Sequence, residues 1–150
     1  MDREALKQYL PHREPMLLVD QVYLDEQGVA HGRYTVRGDE FFLKGHFPGN
    51  PVVPGVIQCE IVAQTACALF LEDLVGTTPL YTGIDKVRFR NPVRPGDTME
   101  ITVSIARVKK PFYFTKGRAE VNGQLCVSGE FAFALIPLLT AGCQRMRAHF

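Results

Sequence analysis

The chain has 150 residues, the length of one ordinary domain that can bury a core of its own. Hydrophobic residues make up 46% of it and charged residues 22%, which excludes a disordered or fibrous chain. Seventeen Lys and Arg against sixteen Asp and Glu leave a net charge of +1, so no overall electrostatic field favours nucleic acid or an anionic membrane as a partner.

The two ends and the cysteines indicate a cytoplasmic protein. The first ten residues, MDREALKQYL, carry charges where a signal peptide needs an apolar run. The apolar stretch 131–139 is too short to span a bilayer. The four cysteines show neither C-x-x-C nor zinc-site spacing, so we expect reduced thiols and no metal site. The sequence predicts a single domain over residues 1–150.

The first part of the chain predicts a short helix followed by a β-hairpin. Residues 1–9 have amphipathic spacing and stop before Pro11. Residues 16–24 are typical of a buried strand, and residues 29–37 alternate like a second strand after a turn at Gly28.

Residues 39–55 form a loop that leads into a single long helix. The segment DEFFLKGHFPGNPVVPG holds three glycines and three prolines and has no helical or strand period. The following segment, 56–75, is apolar on nearly every side and predicts one continuous buried helix.

The rest of the chain predicts four strands. They cover residues 81–90, 99–108, 112–121 and 125–136, and the Asn122-Gly123 pair predicts a tight hairpin between the last two. Six strands with one helix predict an α+β domain, a sheet wrapped on a helix, whose uncovered face or edge calls for at least a dimer. The tail from Pro137 is expected to be a short helix or disordered, outside the core.

Two polar side chains are candidates for catalysis. His46 lies in the Gly/Pro-rich loop, and Glu60 lies on an otherwise apolar stripe of the helix. A carboxyl group on such a stripe is either paired or has a raised pKa, because burial disfavours its charged form. Gln64, one turn further along, is placed to bond it. The alternatives are an arginine partner for Glu60 (Arg88, Arg90 or Arg94) and a structural His46 bonded to the backbone.

Gly55 opens the helix directly after Pro54. The first N–H groups of a helix have no partner within it, so they favour an anion or a developing oxyanion. A base, an acid and an oxyanion donor are the groups needed to remove a proton beside a carbonyl and expel a neighbouring hydroxyl.

Three segments resemble the FabZ-type 3-hydroxyacyl-[acyl-carrier-protein] dehydratases. They are LPHREPMLLVDQV, LKGHFPGNPVVPGVIQCEIVAQTA and YTGIDKVRFRNPVRPGD, in family order, and the resemblance covers about residues 10–136. It implies a hotdog fold, a curved antiparallel sheet of about six strands around one long central helix. It also implies homodimers, three of which often assemble into a hexamer.

The resemblance implies the reaction and the site. A (3R)-3-hydroxyacyl group on acyl carrier protein becomes a trans-2-enoyl group, in fatty-acid or polyketide-like biosynthesis, with no metal or organic cofactor. By position, His46 matches the base and Glu60 of the other subunit the acid, expected to be protonated in its apolar pocket. By position, Gly55 matches the donor to the thioester carbonyl. Further candidates for substrate binding are Gln64, Phe47, Val56 and Tyr81.

Several other assignments have plain structural alternatives. Tyr81 lies where some family members have a gating aromatic, although a core strand tyrosine is the better interpretation. Lys86, Arg88 and Arg90 alternate along one strand with Arg94 nearby, which suits an acidic carrier protein or a solvated strand face equally. His12 is interpreted as a structural hydrogen-bonding residue.

Two rival functions remain open at this point. One is a hotdog thioesterase or enoyl-CoA hydratase, which would use the same fold on a different thioester. The other is a non-catalytic subunit that binds acyl thioesters. The His46 and Glu60 pairing favours the dehydratase over both.

Overall fold

A computed structural model of the chain describes residues 1–138. The sheet extends to Pro137, and the Leu138 N–H donates to the Gly76 carbonyl at 2.9 Å. The prediction of a short helix or disorder for the rest of the tail, together with Cys143, lies outside the described residues.

Six antiparallel strands form one sheet, as the sequence predicts. They are β1 (Gln21–Leu24), β2 (Ala30–Thr35), β3 (Thr77–Phe89), β4 (Thr98–Lys109), β5 (Phe112–Val121) and β6 (Gln124–Pro137). Their order across the sheet is β1-β2-β4-β5-β6-β3. The main helix packs on the inner face of this sheet, so the α+β prediction is confirmed.

The prediction of one main helix is confirmed, but that helix does not continue unbroken over 56–75 as predicted. The structure has α1 (Arg3–Leu6), then α2 (Gly55–Thr65), a 3-10 turn (Ala66–Leu69) and α3 (Leu71–Leu74). Thr65 Oγ1 donates back to the Ile61 carbonyl at 3.0 Å, a bond that bends helices. Phe70 then leaves the helical region altogether, at φ −148° and ψ 44°. Within residues 1–138 no helix combines the length and apolarity needed to cross a membrane.

The hairpin prediction at Asn122-Gly123 is confirmed. Both residues have positive φ (49° and 77°), the backbone that a two-residue type I′ turn requires. The predicted helix over residues 1–9 shortens to α1, where the Asp2 side chain caps the Ala5 N–H.

The predicted strand over 16–24 is reduced to β1. Its first half lies beside α2 rather than beside a strand, because the Gln64 side chain takes its hydrogen bonds. Gln64 Oε1 accepts from the Leu18 N–H at 2.9 Å and Gln64 Nε2 donates to the Met16 carbonyl at 2.7 Å.

Two glycines on the inner face of the sheet allow α2 to approach closely. A Cβ atom at Gly32 of β2 would overlap the Thr65 side chain, and one at Gly117 of β5 would overlap Val62. Ile61 and Val62 are fully buried in this contact, and each contributes about 1.5–3 kcal/mol of hydrophobic stabilisation. The position of every α2 side chain is therefore tied to the sheet.

Strand β3 is a long free edge of the sheet in a single subunit. It also covers residues 77–80, which lie outside the predicted strand over 81–90. Its apolar side chains Leu80, Ile84 and Phe89 are about half exposed (47%, 48% and 53%). Its pairing with β6 is irregular between Asp85 and Arg88.

Candidate active site

His46 is held by two hydrogen bonds to a single residue of the loop. Its Nδ1 lies 2.8 Å from the Val52 carbonyl, and the Val52 N–H donates to the His46 carbonyl at 2.8 Å. A carbonyl only accepts, so Nδ1 carries the proton and Nε2 of the neutral ring has a free lone pair. The backbone-bonded alternative is therefore correct for one ring nitrogen, and it leaves the other nitrogen available for a second contact.

The loop that carries His46 is braced from both sides. Phe47 and Asn50 bond each other's backbone at 3.0 and 2.9 Å, and the Phe47 ring stacks on His46 with centroids 4.2 Å apart. Arg94 Nη1 donates to Asn50 Oδ1 at 2.6 Å. Arg94, a sequence candidate for carrier-protein binding, is thus engaged in holding this loop.

His46 faces an open cleft at the start of α2. The cleft has a volume of about 560 Å³ and is shared by Gly55, Val56, Phe89 and Arg90. The Ile57 and Gln58 N–H groups bond the Pro54 carbonyl, while those of Gly55 and Val56 precede the first helical hydrogen bond. This places unpartnered donors at the positive end of α2, beside His46.

Because Gly55 has no side chain, the Phe89 ring occupies the space beside it. A Cβ atom there would lie 2.7 Å from Cζ of Phe89. The Phe89 ring therefore sits directly over the helix start, and it is 53% exposed toward the outside. Val56, 75% exposed, continues this apolar surface.

Glu60 lies on the next turn of α2, in a different cavity. Its Oε1 accepts a hydrogen bond from Gln64 Nε2 at 2.9 Å and lies 3.2 Å from His12 Nε2. No arginine is its partner within residues 1–138, so that alternative is wrong. Both bonds engage Oε1, which leaves Oε2 free to face the cavity.

The pKa of Glu60 is lower than that of an ordinary glutamate. Burial by itself raises the pKa of Glu60. The hydrogen bonds from His12 and Gln64 and the proximity of His12 together lower the pKa by more than burial raises it. The sequence-based expectation of a protonated Glu60 is therefore wrong for a single subunit. At neutral pH its carboxylate is ionised, and the His12 ring donates Nε2–H to it.

The sequence analysis interpreted His12 as a structural hydrogen-bonding residue and did not assign it to the site, where it contacts Glu60. His12 lines the same cavity as Glu60, and its Nδ1 is buried without a described hydrogen-bond partner. Its place within the PHR motif was the available signal, yet the contact joins residues 48 positions apart. The spacing of residues along α2 identifies only Gln64 as a partner of Glu60.

Gln64 and Tyr81 support the cavity through contacts with the protein. Gln64 is 2% exposed, and it uses both amide atoms to join Glu60 to the segment around Met16 and Leu18. The Tyr81 hydroxyl donates to the Cys59 carbonyl at 2.8 Å, and burial raises its pKa. Its ring forms part of the cavity wall, as a core strand tyrosine would.

The basic side chains of β3 do not share one regular strand face. Lys86 has a φ of +52° at the irregularity in the strand, so the predicted alternation stops there. Lys86 lies 3.8 Å from Glu130, Arg88 is exposed, and Arg90 lines the His46 cleft beyond the end of the strand.

The structure places the predicted residues in two separate spaces. His46, Gly55 and Val56 share one cleft, whereas Glu60, Gln64 and Tyr81 share the other cavity. His46 and Glu60 line no common space in one subunit. The part of the chain that the structure describes contains no cluster of three or more residues suited to a metal ion.

Comparisons with known proteins place the chain among dehydratases. The family model described as ApeI-like, ApeI dehydratase, matches residues 23–130. The chain is 41% identical to the 3-hydroxyacyl-[acyl-carrier-protein] dehydratase FabZ of Clostridium beijerinckii, over 87% of this chain and 95% of that protein. It is 43% identical to the protein of the same name from Thermomicrobium roseum, over 87% and 90%.

Solved structures agree on the hotdog fold. The dehydratase heterocomplex ApeI:P from Xenorhabdus doucetiae matches with a TM-score of 0.72 at 22% identity, over 87% of this chain and 90% of that one. A mutant thioesterase from Pseudomonas aeruginosa matches with a TM-score of 0.67 at 13% identity, over 92% and 96%. At these identities the likeness concerns the fold alone.

Proposed function

Because this chain belongs to the FabZ-type 3-hydroxyacyl-[acyl-carrier-protein] dehydratases, we propose that it dehydrates 3-hydroxyacyl groups on acyl carrier protein, as its relatives' name states. It is a hydro-lyase, and fatty-acid biosynthesis, or a polyketide-like pathway, is the proposed setting. The observation that carries the proposal is the pair of complementary half-sites: a free base with an oxyanion donor in one cleft, and a carboxyl group in the other cavity.

The complete site forms between two copies of the chain. The free β3 edge and the exposed apolar side chains of Val56 and Phe89 suit burial against a second copy. A two-fold axis presents each His46 cleft to the Glu60 cavity of the other subunit and so makes two sites per dimer. Three such dimers form the proposed hexamer.

The elimination divides between the half-sites. The Gly55 N–H polarises the thioester carbonyl, which makes the adjacent C–H more acidic. His46 Nε2 takes that proton, and the electron pair of the C–H bond forms the new C=C bond as the β C–O bond breaks. The departing hydroxyl receives a proton from Glu60 and leaves as water. After this step His46 carries one extra proton and Glu60 has lost one. Transfer of a proton from His46 to Glu60 restores the starting state of the site.

Glu60 must take up a proton before it can act as an acid. Its carboxylate is ionised in the single subunit, and the hydrogen bonds from His12 and Gln64 both engage Oε1, which leaves Oε2 for the proton. Removal of water by the bound thioester and the second subunit raises the pKa of a buried carboxyl, which favours this protonation. The proposed steps use neither a metal nor an organic cofactor.

Acyl carrier protein is the proposed partner, and its acidic surface suits the exposed Arg88 and Lys86 of β3. Arg90, which lines the His46 cleft, is placed to meet the phosphate of the pantetheine arm. Arg94 acts through Asn50 on the loop instead.

The direct test is turnover of 3-hydroxybutyryl-acyl carrier protein by the purified protein, followed by the absorbance of the enoyl thioester. We expect the absorbance to rise with no release of free thiol. Release of free thiol without enoyl product would identify a thioesterase instead. Binding without either product would identify an acyl-thioester-binding subunit.

Replacing His12 is expected to move the pH dependence of the reaction. The His12 hydrogen bond lowers the pKa of Glu60, so His12→Ala leaves burial opposed by Gln64 alone and raises that pKa. In a plot of kcat/KM against pH, the limb that reports Glu60 is the one that disappears in Glu60→Gln. In His12→Ala this limb should shift to higher pH. His31→Ala is the matched control, because His31 pairs with Asp25 at 2.7 Å outside both cavities. If the limb stays at the same pH in His12→Ala, His12 does not influence the pKa that governs the reaction.

A further inference from the structure

Residues 52–54 connect the proposed base of the His46 cleft to the proposed oxyanion donor. Val52 bonds His46 through both its N–H and its carbonyl, at 2.8 Å each. At the other end of the segment, the Pro54 carbonyl accepts the first hydrogen bonds of α2, and Gly55 follows directly. The two groups are therefore attached to opposite ends of one short stretch of backbone.

The middle residue of this segment, Val53, is held on both sides as well. Its N–H donates to the Val93 carbonyl at 2.8 Å. Its carbonyl accepts from Nε2 of Gln58 at 3.4 Å, and no other donor among residues 1–138 bonds it. Because Val53 is 1% exposed, water has little access to that carbonyl. The Gln58 amide thus completes the hydrogen bonding of the segment.

Gln58 lies in the first turn of α2 and reaches back toward the segment. A helical side chain leans toward the N-terminus of its own helix, which brings the amide of Gln58 to Val53. The amide has one favourable arrangement, since turning it over would set Oε1 against the Val53 carbonyl, acceptor against acceptor.

The other half of this amide forms no hydrogen bond that the structure describes. Gln58 is 3% exposed, and its Oε1 is buried without a partner in the described part of the chain. A buried acceptor without a donor destabilises a fold. A methionine of similar length would fill the same space and carry no such oxygen, so packing does not explain a glutamine here. What the methionine would lack is the Nε2–H bond to Val53.

We infer that Gln58 is a positioning residue for the dehydration, and that its bond to Val53 fixes His46 relative to the Gly55 N–H. The inference rests on the proposed function, since it takes His46 as the base and the Gly55 N–H as the oxyanion donor. Removal of the proton and growth of charge on the carbonyl oxygen occur in the same transition state, so both groups must be aligned together. Gln58 acts on them through the backbone of residues 52–54.

The test is Gln58→Met, assayed for kcat and KM with 3-hydroxybutyryl-acyl carrier protein. We expect kcat to fall by at least ~10-fold while KM stays within about two-fold of the wild type, because the lost alignment matters in the transition state. The unfolding midpoint should stay within about 2 °C of the wild type. The variant removes one unpartnered acceptor, Oε1 of Gln58, and leaves one other, the Val53 carbonyl.

Thr115→Val is the matched control. Thr115 is 2% exposed, and its hydroxyl donates to the Phe131 carbonyl at 3.0 Å, a buried bond of the same kind outside the His46 cleft. Its kcat should equal that of the wild type.

Two results would overturn the inference and leave the proposed function standing. One is an unchanged kcat in Gln58→Met. The other is a fall in kcat that comes with a midpoint lowered by several degrees, or that Thr115→Val shows equally, since either pattern describes an ordinary structural residue. A wild type that turns over no 3-hydroxyacyl substrate would overturn the inference and the proposed function together.

Discussion

His46→Ala and Glu60→Gln are each expected to lower kcat/KM for dehydration by at least ~100-fold, the usual contribution of a positioned acid or base. His46→Ala removes the free Nε2, and Glu60→Gln keeps the shape and the neighbouring bonds of the side chain but cannot supply a proton. The measurement is enoyl absorbance with the 3-hydroxybutyryl carrier protein. Both variants should keep the wild-type unfolding midpoint, which separates lost chemistry from lost folding.

Mixed dimers of these two variants are expected to regain activity. A dimer with one His46→Ala chain and one Glu60→Gln chain has both lesions in one site and none in the other. Random pairing places one copy of each in half of the dimers, so co-expression should restore about a quarter of wild-type turnover. If each site were built within one chain, every site would carry a lesion and the mixture would stay as inactive as its parents.

Gly32→Ala and Gly117→Ala are expected to destabilise the fold by about 1–3 kcal/mol each. The new methyl group overlaps Thr65 in the first case and Val62 in the second, so α2 must move away from the sheet. The shift also carries Glu60, which lies on the same helix, and should lower kcat. Urea unfolding monitored by circular dichroism measures the stability, with enoyl absorbance for kcat.

Gly83→Ala is the matched control for these two variants. Gly83 is also a strand glycine, but its nearest neighbours to a new Cβ lie 3.8 and 3.9 Å away, at ordinary contact distance. Its free energy of unfolding should stay close to that of the wild type. Equal losses at all three glycines would show that backbone flexibility in the strands, and not close approach of the helix, determines the effect.

The sequence predicts the sheet well because each strand carries a local signal. Alternation and turn residues identify all six strands, and the Asn122-Gly123 pair identifies its hairpin turn. His46, Glu60 and Gly55 are likewise visible, since a histidine among glycines and a carboxyl group on an apolar stripe are local features. The structure then shows that they occupy two separate spaces.

What the sequence does not predict depends on contacts between distant segments. The helix break at Phe70 follows uniformly apolar residues with helical propensity, and tertiary packing against Tyr113 and Phe133 overrides that propensity. The ionised state of Glu60 depends on His12, which approaches from the loop after α1. The spacing of residues along α2 therefore does not predict the contact between His12 and Glu60.

The irregularity in β3 has a consequence for a newly synthesised chain. In a single subunit, a strand of 13 residues with Leu80, Ile84 and Phe89 half exposed is a template for the stacking of unrelated strands into aggregates. The charges of Asp85 and Lys86 lie at the point where the strand departs from regular pairing, and charge together with a kink is how natural edges resist such stacking. The same short segment thus protects an exposed edge while leaving most of it available for the pairing with a second copy that we propose.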